Sequence, residues 1–452
     1  MKYFIALLIL VSATACRAAP NLEQMGNSFI LNNINIVDVE NRQIQFNKSI
    51  LVNKGKILNI AQSPMPAPSN GITIIDGNGG YVTPGLIDMH VHIFEEAAFA
   101  LALSHGITHV RIMNGVPDQL KWRDQIEAGE LIGSSATVSS PILSAYDANL
   151  HHTVHTAKQA EAAVKRYQSE GYDLIKLYGN LSEEALTAAI ETGKKLNIPI
   201  AKHGPHASGN MPISSLFGLQ SLEHVEDIYQ GPLNYKFDST RIPAIAESIK
   251  AVSVPVSPTL NIYYQLTKLS VEKEAFLDTV PSEYTSDIIA LEASNNQIER
   301  WLTASDNMAA HNQKTLSFLQ HITNVFHNAG IPLLVGSDSG VLLSPHGLAT
   351  HNEMRLMHES GMAIYDVLAA ATINPAKALK MGDQIGKVSE NYKADFILSE
   401  TSPLDDLSTL KRPEAVVKNG HFYPKKALRK MREKAIESRS IWKELGTLFR
   451  GM

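Results

Sequence analysis

Between about residues 83 and 382 the chain alternates short apolar runs with stretches of helical period, and few folds can hold that pattern. The runs lie at 86–92, 106–112, 137–140, 172–178, 198–203, 221–224, 252–260 and 331–338. Helical stretches lie between them, among them 95–104, 156–170 (ending at Gly171) and 184–196, the last capped by Ser182. Repeated βα units of this length require parallel strands, and eight of them predict a closed (β/α)8 barrel. In such a barrel the chemistry sits where the C-terminal ends of the strands converge.

The flanks read differently. Residues 27–82 hold short strands around Phe29-Ile30-Leu31, Ile34-Asn35-Ile36-Val37, Ile50-Leu51-Val52 and Ile57-Leu58-Asn59-Ile60, with a hairpin signal at Asn53-Lys54-Gly55-Lys56. Strands return at 383–424. The sequence therefore predicts an α/β chain whose barrel is inserted into a small β-sandwich built from both ends. A stretch at 261–330 exceeds an ordinary loop and is expected to carry its own helices, as a lid or pocket wall or as barrel helices with an insertion. The tail at 425–452 reads as a basic helix docked on the body, with contact to an anionic membrane surface as the alternative.

At the start, Lys2 precedes an apolar run at 4–11 and small residues ending in Cys16, which predicts a secretory signal over 1–19. Cys16 is the only cysteine, so no intrachain disulfide is available. Ala13-Thr14-Ala15-Cys16 resembles a bacterial lipobox, which gives an exported, periplasmic protein lipid-anchored through Cys16. Ordinary cleavage near Ala15 or Ala19 is the alternative. A composition of 44% apolar and 19% charged residues fits a globular protein, and a net charge of −5 argues against nucleic acid as a partner.

The chemistry begins with Asp88-Met89-His90-Val91-His92. Strand alternation points His90 and His92 to one face, which makes half a metal site. Lys176, His203, His224 and Asp338 also lie at or near the C-terminal ends of apolar runs, so a barrel would bring them together. Four histidines and one carboxylate suit zinc or a similar divalent ion. Lys176 stands among Leu174, Ile175 and Leu177, where an ammonium is costly. An ion pair with Asp173 or Asp338 is its plain structural reading.

Several motifs strengthen the chemical reading. Val82-Thr83-Pro84-Gly85-Leu86-Ile87-Asp88, Asp173-Leu174-Ile175-Lys176, Ser221-Leu222-Glu223-His224, Gly336-Ser337-Asp338-Ser339-Gly340, Thr350-His351-Asn352-Glu353 and Ala371-Thr372-Ile373-Asn374-Pro375-Ala376 together resemble the amidohydrolase superfamily. Within it they are closest to the imidazolonepropionase-like branch that includes Xaa-Pro dipeptidases. The resemblance runs from about Ile34 to Gly420.

It implies that His90, His92 and Asp338 hold the more buried of two divalent ions, and His203 and His224 the more exposed one. It also implies that Lys176, carboxylated by carbon dioxide, bridges them together with a hydroxide, and that Asp338 shuttles the proton. Near the substrate, His203 is followed by Gly204-Pro205-His206, where dipeptidase relatives often keep Ala-Tyr or Ala-His. His206 is thus a candidate contact, as are Tyr178 and one of His151, His152 and His155.

The resulting expectation is a metal-dependent hydrolase of amide or peptide bonds in small substrates such as dipeptides or N-acyl amino acids, with a homo-oligomer open to it. A mononuclear hydrolase of cyclic amides or lactones is the first alternative, and a non-catalytic exported metal-binding lipoprotein the second.

Overall fold

The computed structural model describes residues 26–67, 71–148, 150–203, 212–284, 287–292 and 298–451. The signal-like segment with Cys16, and the candidate contact His206, lie outside these residues.

Strands β1 (Phe29–Asp38), β2 (Gln43–Asn53) and β3 (Lys56–Gln62) form where the sequence places them. The turn from β2 to β3 pairs Asn53 with Lys56, and both central residues, Lys54 and Gly55, have positive φ (47° and 79°). That backbone twist matches the right-handed twist of the strands it joins. Strand β4 (Thr73–Pro84) runs parallel to β1 and leads directly to the histidine-bearing segment.

The middle of the chain is mixed α/β around parallel strands. Strands β5 (Leu86–Val91), β6 (Ile107–Ile112) and β7 (Ser135–Val138) form one parallel sheet. Strands β8 (Ile142–Ser144), β9 (His151–Thr153), β10 (Ile175–Leu177), β11 (Ile200–His203), β12 (Ser221–Glu223) and β13 (Val256–Ser257) form a second, in the order β9-β8-β10-β11-β12-β13. Parallel bridges join Ser139 to Leu174, Val256 to Leu333 and Val91 to Ser339.

Two expected strands are shorter than the sequence suggests. At 252–260 only Val256–Ser257 pairs regularly, because Pro255 and Pro258 lack the N–H a ladder needs and the helix Leu260–Val271 starts at once. The stretch 331–339 stays extended, with Leu334 N donating to Val256 O and Met89 N donating to Val335 O. It makes bridges rather than a ladder, and Asp338 turns out of it at φ +53°. The described residues of 261–330 are mostly helical. Its longest element is Asp306–Asn328, capped by Ser305.

At the C-terminal end, β14 (Phe396–Ser399), β15 (Ala415–Lys418) and β16 (His421–Pro424) return to β4. Strands from before and after the middle of the chain thus share one seven-stranded sheet, β16-β15-β14-β4-β1-β2-β3. Phe29, Ile34, Val82, Phe396 and Val417 form its buried face, with Phe422 edge-on to Phe29 at 5.6 Å. The tail is two helices rather than one, Lys425–Glu437 and Ile441–Gly451. In the break, Arg439 Nε donates to Glu95 Oε2 at 3.0 Å. Ala427, Leu428, Met431 and Ala435 dock the first of these helices on the body.

Candidate active site

The C-terminal ends of the parallel strands place His90, His92, Lys176, His203, His224 and Asp338 in one buried cluster. His92 Nε2 lies 2.9 Å and His90 Nε2 3.5 Å from Asp338 Oδ1. That oxygen accepts no aligned hydrogen bond among the described residues. Ligand atoms about 2.1 Å from a shared tetrahedral ion stand about 3.4 Å apart, so this spacing suits one metal ion. The rings of His203 and His224 stack at 4.1 Å, and His90 lies 4.6 Å from His224.

Each of three histidines is fixed through Nδ1. The Nδ1–H of His90 donates to Glu223 Oε2 at 2.9 Å. That of His203 donates to Asp227. That of His224 donates to the Thr259 hydroxyl at 2.6 Å, which itself donates to Pro258 O. This assignment leaves an Nε2 lone pair on every ring, the arrangement metal-bound histidines use.

Glu223 is held in turn by Arg111, whose Nη2 donates to Oε1 at 2.6 Å and whose Nε donates to Met89 O at 2.7 Å. Asp88 ties the ends of β5 and 331–338 together, accepting from Ser337 N at 3.0 Å, His90 N at 3.2 Å and the Thr350 hydroxyl at 2.6 Å.

Electrostatics set the protonation states a metal needs. Burial holds His90 down to about 4 and His224 well below the ordinary histidine range, so both rings are neutral at neutral pH. Burial acts against charge on Asp338, but the surrounding His90, His92 and His224 hold its carboxyl far below the usual range. Glu223 is likewise kept ionised against its burial by Arg111 and His90. Burial pushes the Lys176 amine down to about 8. Its Nζ is buried and has no hydrogen-bond partner among the described residues. The ion pair with Asp173 does not form, because Asp173 turns outward to accept from Arg123 at 2.9 Å.

Of the candidate substrate contacts, Tyr178 lies edge-on to His203 at 4.5 Å, and His151 lies 5.9 Å from Tyr178. His152 points the other way, with Nδ1 bonded to the Tyr167 hydroxyl at 2.8 Å, as alternation along β9 requires. His203, Glu226 and Asp227 offer three further ligand atoms within 4.8 Å of one another.

Glu223, Asp227 and Thr259 were not singled out by the sequence. Asp227 carried a readable signal, since it follows His224 by three residues at a helix start.

A family model described as the amidohydrolase family matches residues 81–422. The chain belongs to this amidohydrolase family. Its chemistry is hydrolysis at a carbon–nitrogen bond. This amidohydrolase is similar to an imidazolonepropionase of Idiomarina loihiensis, 22% identical over 77% of this chain and 85% of that one. It is also similar to an adenine deaminase of Clostridium perfringens, 28% identical over 35% of this chain, and spans only 30% of that relative's length. In fold it is similar to a Xaa-Pro dipeptidase with bound methionine in the active site, at a TM-score of 0.67 and 18% identity, covering 88% of this chain and all of that one.

Proposed function

We propose that this amidohydrolase is metal-dependent and cleaves an amide or peptide bond of a small substrate, a dipeptide or N-acyl amino acid. The observation that carries this is the set of three histidines, each tied through Nδ1 and each presenting Nε2 around Asp338 and a Lys176 amine that has no hydrogen-bond partner among the described residues. His90, His92 and Asp338 would hold one divalent ion, zinc by donor type, and His203 and His224 a second. Lys176, whose amine burial keeps partly neutral, would take up carbon dioxide and bridge them as a carbamate. When bound, such ions supply an activated water and a Lewis acid for the scissile carbonyl.

Asp338 takes the proton of the attacking water and returns it to the leaving nitrogen. Its charge and its place beside His90 and His92 suit both acts. Tyr178 and His151, on the His203 side, orient the substrate. The amino acid in the active site of the similar dipeptidase agrees in size with such a substrate.

In this reading the bridges at Ser139, Val256 and Val91 close eight parallel strands into the barrel, and the seven-stranded sheet is the small second domain. The protein is exported and anchored through Cys16.

Metal analysis of protein made with bicarbonate, with a screen of dipeptides and N-acyl amino acids, tests the proposal. About two ions per chain and turnover of one substrate class support it. The imidazolonepropionase relative favours a second reading, a cyclic-amide hydrolase with one metal. One tightly bound ion, an unmodified Lys176 and turnover of cyclic amides would establish that reading instead. A full metal complement with no turnover on any substrate would point to the non-catalytic metal-binding protein.

A further inference from the structure

The tail helix Ile441–Gly451 uses only one of its faces. Glu444 and Thr447 are buried against the body, where Glu444 accepts from the backbone N–H of Asp287 and Ile288. Trp442, Leu445, Gly446 and Phe449 recur at i, i+3, i+4 and i+7 and so share the opposite face. Trp442 is 79% exposed and Phe449 71%, more than any other large apolar residue described. Leaving two aromatic rings in water is unfavourable, and both sit on a helix that is otherwise well fastened. Arg450 pairs with Asp118, and Arg439 with Glu95.

Charge indicates what covers this face. Residues 425–451 hold nine lysines and arginines against three glutamates, in a chain whose net charge is −5. Beside Trp442 a cleft of about 340 Å³ has Lys121, Lys443 and Arg450 in its lining together with Glu95, Glu96 and Asp118, and the Arg439–Glu95 and Arg450–Asp118 pairs leave Lys121 and Lys443 as its cations outside those pairs. An amphipathic helix with exposed Trp and Phe flanked by Lys443 and Lys121 has the composition of one lying in a lipid interface, the rings in the acyl boundary and the lysines among headgroups. Among the described residues no helix is long and apolar enough to cross a membrane, so the contact is peripheral.

We infer that the face of helix Ile441–Gly451 bearing Trp442 and Phe449, with Lys443 and Lys121 at its edge, is a docking surface for an anionic lipid bilayer. The inference is independent of the substrate and of any acyl group at Cys16.

The test uses the full chain carrying Cys16→Ser, so that no acyl group contributes, in co-sedimentation with vesicles. Binding is expected to vesicles of phosphatidylcholine with about 30% phosphatidylglycerol and not to pure phosphatidylcholine, and it should weaken several-fold between about 0.05 M and about 0.5 M salt. Trp442→Ser with Phe449→Ser should lower vesicle binding about tenfold or more. Lys121→Glu with Lys443→Glu should remove most of its salt dependence. Both variants change exposed side chains and should keep the parent melting temperature and metal content, which separates lost docking from lost folding. Absence of binding to anionic vesicles, or equal binding by the Trp442→Ser, Phe449→Ser variant, overturns the inference. So does a dimer that this variant converts to monomers while vesicle binding is unchanged, because the face would then belong to a second copy of the chain.

Discussion

Lys176→Met should make the metal-free protein more stable while destroying its activity. The structure sets the size of the effect. Lys176 is 2% exposed, its amine has no hydrogen-bond partner among the described residues, and burial lowers it from an ordinary 10.5 to about 8. At about 1.4 kcal/mol per decade, keeping this ammonium protonated in the folded state costs on the order of 3 kcal/mol. Methionine has a similar length and no charge, so with imperfect packing a gain of about 1–3 kcal/mol is expected near pH 6.

The sign fixes the pH window. Between about 8 and 10.5 the unfolded chain holds the Lys176 proton and the folded chain does not, so wild-type stability rises with pH through that window and the advantage of methionine fades. The assay is urea unfolding of both proteins, freed of metal by chelation and of carbon dioxide by purging, at several pH values. With metal and bicarbonate restored, the wild type should recover turnover and the variant should stay inactive. A variant that is less stable than wild type near pH 6, with a difference that does not change up to pH 10, would refute the reasoning. Lys176 would then have a compensating partner and no poised amine.

Asp338→Asn should lower turnover about 10²–10⁴-fold while part of the bound metal remains, checked by steady-state kinetics with metal analysis. Glu223→Gln should destabilise the fold by about 3–5 kcal/mol, because it leaves Arg111 buried without a carboxylate, and should weaken metal binding as His90 loses its anchor; calorimetry and metal titration read the two effects. Asp227→Asn should weaken one class of metal site about 10–100-fold in a competition titration and leave the His90, His92 and Asp338 class unchanged. Intact-mass analysis of the mature protein is expected to find an acylated N-terminal Cys16, and a free N-terminus beyond that residue excludes the anchor.

Much of the cluster could be read from the sequence because its members end apolar runs, and parallel strands bring such ends together whatever their separation. The residues that orient the ligands were hidden, for a backbone reason. Strand alternation puts Glu223 and His224 on opposite faces, yet both reach the site, because His224 turns back at φ +68°. Asp338 and Thr259 also lie in the left-handed region, at +53° and +52°. Nothing in a residue's identity announces such a turn unless it is glycine. The order of strands in the outer sheet was not legible, because short apolar runs fix strands but not their partners. β4 spans 12 residues across Gly77, Gly79 and Gly80, and that length lets it pair with β1 on one side and β14 on the other.

The staple at Asp88 also dictates the order in which the molecule can be finished. Its carboxylate accepts from Ser337 N across 249 positions of chain, and from the Thr350 hydroxyl across 262. Closing so long a loop comes late in folding, since chain entropy opposes it until the intervening units have packed. A growing polypeptide therefore exposes His90 and His92 long before Asp338 exists to complete their set. Until residues near 350 have emerged, that pair can offer an ion only two imidazoles, and any ion it takes must be able to leave again. In the metal-dependent reading proposed above, selection of the ion would belong to the last step of maturation, when Ser337 and Thr350 both reach Asp88.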